Sequence, residues 1–131
     1  EKRINEGSYA WNSLLKSGAV IINGTDTPVE SINPIASFYS SVTRKTLNGL
    51  PSKGYEPWEK ITRFQALKSY TLSPAFAAFE EDLKGSIEIG KVADFVILSD
   101  DIMTISEDKI LSTKVLYTIV NGIILYDYNK I

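Results

Sequence analysis

The chain has 131 residues, 44% of them hydrophobic, and 14 basic against 16 acidic side chains for a formal net charge of -2, which allows one buried core and disfavours nucleic-acid or anionic-membrane binding. It has no cysteine and no histidine. That excludes disulfides, thiolate zinc sites, cysteine nucleophiles and serine-histidine triads built within these residues.

The opening stretch, Glu1-Lys2-Arg3-Ile4-Asn5-Glu6, is charged and helix-compatible and has no secretory apolar region. It begins without methionine, so the chain is expected to be a piece of something longer. No apolar run approaches the ~20 residues that a membrane helix requires, and a soluble, cytoplasmic protein is expected.

Ser8 to Lys16 carries Tyr9, Trp11, Leu14 and Leu15 at helical spacing and stops at Ser17-Gly18, which predicts a short helix. Ala19-Val20-Ile21-Ile22 is a continuous apolar run between glycines, the pattern of a strand buried on both faces in a parallel sheet. Asn23-Gly24-Thr25-Asp26-Thr27-Pro28-Val29 then reads as a loop of turn residues with one carboxylate at its centre. Asn33-Pro34 supplies an N-cap and a first-turn proline for a helix to about Lys45, with Ile35, Phe38, Tyr39 and Val42 on its apolar face.

Asn48 to Tyr55 is a connecting loop, and Trp58, Ile61, Phe64, Ala66 and Leu67 predict one long helix over Pro57 to Tyr70. After Thr71-Leu72-Ser73-Pro74 a short alanine-rich helix is expected to reach about Leu83. From Gly85 the chain turns β-like, with Ile87, Ile89, Val92 and the run Phe95-Val96-Ile97-Leu98. Lys114 to Val120 and Ile123 to Tyr128 read as strands joined by the hairpin signal Asn121-Gly122. A helical part, 1–84, is thus expected to precede a β part, 85–131.

The segment Lys84-Gly85-Ser86-Ile87-Glu88-Ile89-Gly90-Lys91-Val92-Ala93-Asp94-Phe95-Val96-Ile97-Leu98 resembles the signature near the C-terminus of amidohydrolase-superfamily enzymes. Gly24-Thr25-Asp26-Thr27-Pro28-Val29, Asn33-Pro34, Val42-Thr43-Arg44 and Tyr70-Thr71 with Ala77 resemble the family-3 branch of long, metal-dependent amidohydrolases. The resemblance implies an α/β fold: the C-terminal part of a (β/α)8 barrel, with its last strand and flanking helices over 1–84, followed by strands of a composite β-sandwich over 85–131. It also implies hydrolysis of a C–N bond in a small-molecule amide-type substrate.

In that family the aspartate after the eighth strand is a metal ligand and the general base for the attacking water, and Asp26 stands at that place in the motif. The resemblance therefore implies Asp26 as catalytic and metal-binding residue, with a divalent metal, zinc, in the full-length parent. The remaining family ligands are histidines and a bridging carboxylate or modified lysine on earlier strands. The chain has none of those strands, so it is expected to hold no metal alone and to be inactive as a fragment. Its uncovered barrel face is expected to drive self-association. A non-catalytic regulatory or interaction module derived from the same family is the alternative.

Other residues admit local readings. Asp26 could serve only as a turn residue, Arg44 could hold a substrate anion or answer a helix end and a nearby acid, and Asp94 reads as an acceptor for loop backbone. Trp11 and Trp58 read as packing residues. Glu80-Glu81-Asp82 reads as a solvated helix end, and Asn23-Gly24-Thr25 is a glycosylation sequon in form only.

Overall fold

A computed structural model describes residues 7–130. The charged stretch over residues 1–6, expected to be helix-compatible, lies outside the described residues. The elements are α1 (Trp11–Lys16), α2 (Pro34–Thr43), α3 (Arg63–Tyr70), α4 (Leu72–Ala77), β1 (Phe95–Leu98), β2 (Val115–Val120) and β3 (Ile123–Asp127), with 3-10 turns at Pro57–Glu59, Glu107–Ser112 and Tyr128–Lys130. This is an α/β arrangement, helices first and sheet last. Among the described residues no helix is long and apolar enough to cross a membrane.

Local signals set α2. The Asn33 side chain accepts the Ile35 N–H at 3.0 Å, Pro34 takes the first turn, and the helix closes at Thr43 with Arg44 in the left-handed region at φ 61°. Ile35, Phe38, Tyr39 and Val42 repeat at helical spacing and are all buried. They join Ile61, Ala66, Ile102 and Ile110 in the core, where α2 packs on α3 and on the Glu107–Ser112 turn.

Pro57 to Tyr70 is not one helix. Lys60 is extended (ψ 136°), and α3 restarts after a capping box in which the Thr62 side chain accepts the Gln65 N–H and the Gln65 side chain accepts the Thr62 N–H. The break turns Glu59 inward and leaves Trp58, expected as a packing residue, 67% exposed. The following helix stops at Ala77 and not near Leu83. Phe79 sits at φ 58° while the Glu80 N–H reaches the Ala75 carbonyl and the Phe79 N–H the Phe76 carbonyl, a Schellman closure.

The sheet has the order β1-β2-β3, antiparallel throughout, with Val96 opposite Thr118 and Thr118 opposite Tyr126. Asn121 (φ 50°) and Gly122 (φ 75°) make the two-residue connection, both in the positive-φ region that such a hairpin needs. Two expected β stretches form no strand. Ile87 and Ile89 lie in an exposed, turning segment, and Ala19-Val20-Ile21-Ile22 forms neither helix nor ladder, Val20 and Ile22 being half-exposed. A strand exists by pairing, and neither stretch forms a ladder among the described residues.

Candidate functional site

The loop after Ile22 carries the chemistry-bearing residue. The Asp26 carbonyl accepts the Val29 N–H at 2.8 Å across a turn whose Thr27–Pro28 peptide is cis, and Asp26 itself has φ 51°. The side-chain bonds of this loop come from its neighbours: the Thr25 and Thr27 hydroxyls pair at 2.9 Å, and Thr27 is 3.3 Å from the Glu30 carbonyl. Asp26 is exposed, and the turn is closed by its backbone. The turn role therefore coexists with a carboxylate that makes no hydrogen bond among the described residues.

Upstream, Asn23 ties this loop to the helices through its backbone N–H on the Ser69 carbonyl and its side-chain amide on the Ser41 hydroxyl, both at 3.0 Å. The amide nitrogen that a glycan would need is engaged inside the fold.

Among the described residues no three acidic side chains gather into a group that could hold a metal ion. An exposed carboxylate outside the turn's own hydrogen bonds suits Asp26 as one hard oxygen donor. It is not a site by itself, and further ligands must come from elsewhere. A cavity of about 650 Å³ opens between α2 and the 21–23 segment, lined among others by Tyr9, Trp11, Ile22, Ser41 and Arg44. Asp26 does not line it, so the cavity and the carboxylate are separate features.

Arg44 is committed internally. Its Nε donates to the Tyr55 carbonyl at 3.0 Å, its Nη1 to the Tyr9 carbonyl at 2.8 Å, Glu56 lies 3.7 Å away, and the Tyr55 ring centroid is 5.7 Å from the guanidinium carbon. Asp94 accepts the Asn121 N–H at 2.7 Å, the structural role expected of it.

Glu59 escaped the sequence reading. It is buried, and its carboxylate accepts the Ser13 N–H at 2.8 Å together with the Ser13 hydroxyl. These hydrogen bonds, with the Arg44 charge nearby, hold it below the usual carboxylate range although burial acts the other way. It serves as an N-terminal cap for α1 delivered from 46 positions away, and no local signal announces such a partner.

A model of the amidohydrolase family matches residues 2–126. The chain is 30% identical over 120 residues to the putative amidohydrolase YtcJ of Bacillus subtilis (strain 168), covering 92% of this chain and 23% of that protein. It is 40% identical over 129 residues to the protein LONG AFTER FAR-RED 3 of Arabidopsis thaliana (96% of this chain, 21% of that protein). It is 32% identical over 119 residues to the N-substituted formamide deformylase of Arthrobacter pascens (91% and 21%). The chain thus spans 21% to 23% of the length of these curated relatives. The crystal structure of an amidohydrolase from Thermotoga maritima MSB8 shares its fold with a TM-score of 0.68 at 22% identity, over 91% of this chain and 26% of that one. With nearly its whole length matched by the family model, the chain belongs to the amidohydrolase family.

Proposed function

We propose that the chain is the C-terminal portion of a metal-dependent amidohydrolase that cleaves a C–N bond in a small-molecule amide-type substrate. The match over residues 2–126 carries this reading, because it runs through both the Asp26 loop and the sheet while taking in only 21% to 23% of the relatives' length. In this reading residues 1–84 are the end of a (β/α)8 barrel, and residues 85–131 are strands of a β-sandwich. The half-exposed Val20 and Ile22 support it, since an apolar segment that forms neither helix nor ladder suits a barrel strand whose neighbours lie outside the chain.

Asp26 is this segment's contribution to the centre. A divalent metal, zinc in this proposal, supplies Lewis acidity to the parent enzyme when bound. Asp26 lends it one carboxylate oxygen and takes up the proton of the attacking water. A turn closed by backbone leaves that carboxylate available for both tasks. At the C-terminal end of a barrel strand it would face the point where the strand-to-helix loops converge. The 131 residues alone are inactive in this reading.

The test starts with the intact mass of the natural protein against the 14.6 kDa of this chain. In a longer parent, metal analysis and assays on N-substituted formamides and other simple amides follow. Asp26→Asn is expected to lower turnover by about 10² or more with the circular-dichroism spectrum unchanged. Turnover equal to the unaltered enzyme at saturating metal would remove the assignment.

A further inference from the structure

The apolar run Val20-Ile21-Ile22 ends on a polar residue that is half-buried where another apolar side chain would continue the pattern. Asn23 makes two bonds there to two different helices. Its backbone N–H donates to the Ser69 carbonyl at 3.0 Å, one of the last-turn carbonyls of α3 that no intrahelical N–H can reach. Its side-chain Nδ2 donates to the Ser41 hydroxyl at 3.0 Å, in the last turn of α2, and that hydroxyl donates onward to the Ser37 carbonyl at 2.8 Å.

The geometry matters because of what surrounds it. Among the described residues the Ala19–Ile22 stretch has no ladder, and the hydrogen bonds beyond Asn23 run within the turn itself, through Thr25, Thr27 and the Asp26 carbonyl. The stem of the loop is therefore registered on the helices by Asn23. A half-buried polar side chain with a defined acceptor fixes one arrangement where an apolar one of similar size would tolerate several.

We infer that Asn23 is a positioning residue for Asp26, clamping the stem of its turn to α2 and α3 so that the carboxylate is held in one place. This rests on the reading of Asp26 as ligand and proton acceptor. A leucine at position 23 keeps the backbone bond to Ser69 but removes the bond to Ser41. Ser41→Ala removes the same bond from the opposite side and leaves Asn23 unchanged.

The experiment uses the full-length protein that contains this chain, with Co2+ as the probe of the metal centre and hydrogen exchange as a readout independent of activity. Asn23→Leu and Ser41→Ala are each expected to speed exchange over residues 24–29 about tenfold, the scale of one hydrogen bond, and to weaken Co2+ binding by a similar factor. The double variant is expected to match the Asn23 variant and not the product of the two effects. Exchange in β1, β2 and β3 should stay as it was.

Unchanged exchange over 24–29 in both single variants would overturn the inference, as would a rise spread evenly over the chain. Should Asp26→Asn weaken Co2+ binding while both clamp variants bind it normally, the positioning role falls and the reading of Asp26 stands. Should Asp26→Asn bind Co2+ normally, the reading of Asp26 falls and the positioning role goes with it.

Discussion

The Asp94 carboxylate accepts the backbone N–H of Asn121 at 2.7 Å, and beside it the Gly122 N–H donates to the Ala93 carbonyl at 3.0 Å. The loop entering β1 thereby grips the turn between β2 and β3, and the hairpin is held at its tip as well as along its ladder. Asp94→Ala is expected to cost about 1 kcal/mol of unfolding free energy, and Asp94→Asn, which keeps an acceptor oxygen, clearly less. Urea denaturation checks this through a lowered midpoint at constant m-value. Equal losses from the two substitutions would show that charge, and not the acceptor, is what the turn needs.

Glu59 makes part of the stability depend on acid. Its folded-state pKa lies below the ordinary value because the ionised form is the one Ser13 bonds, so the unfolded chain binds the proton more readily. The contribution is complete above 4.5, the ordinary glutamate value, and is lost as pH falls through the depressed folded value. Urea midpoints of the unaltered protein and of Glu59→Gln should differ at neutral pH and converge as the solution is taken below 4.5. A gap that stays constant into strong acid would mean that the Ser13 bonds do not favour the carboxylate.

Gly54 is irreplaceable on steric grounds. It has φ 85°, and a Cβ there would overlap the Thr43 carbonyl oxygen and stand 3.1 Å from the Arg44 Cβ, at the point where the loop comes back against the end of α2. Gly54→Ala is expected to cost about 3 kcal/mol, combining the left-handed backbone with a clash against main chain that cannot swing aside. Thermal unfolding measures it, and a loss below about 1 kcal/mol would show that the loop can retreat from Thr43.

Made as these 131 residues alone, the chain is expected to self-associate. Ile123, Ile124 and Leu125 are all exposed on β3, which among the described residues pairs with β2 on one edge only, and Val20 and Ile22 stand half-exposed along a segment with no ladder there. Sedimentation should give a mass above 14.6 kDa, and Leu125→Lys on the edge strand should lower the associated fraction. A monomer at every concentration tested would remove this expectation.

What the sequence disclosed tracks the reach of each interaction. Asn33-Pro34 and Asn121-Gly122 are local instructions, and α2 and the hairpin formed where those residues placed them. Thr62 and Gln65 carry an equally local capping signal, which the apolar face of Trp58, Phe64 and Leu67 masks. Ala19-Val20-Ile21-Ile22 has the composition of a strand because composition reports a liking for burial, whereas a strand also needs a paired neighbour, and the stretch forms no ladder among the described residues. Asp26 stands out by its family motif. The long-range grips, Glu59 on Ser13 and Asn23 on Ser41, join residues 46 and 18 positions apart, beyond the range of periodicity or spacing.

Ile102 and Ile110 belong to the same core as Ile35 and Phe38, although they come from opposite sides of residue 84. Recombination between related genes at that point would therefore bring together half-interfaces shaped in different ancestors. A chimera joined there should melt early unless the residues facing α2 were exchanged along with it, and selection on such joins would keep the two stretches inherited as a linked pair.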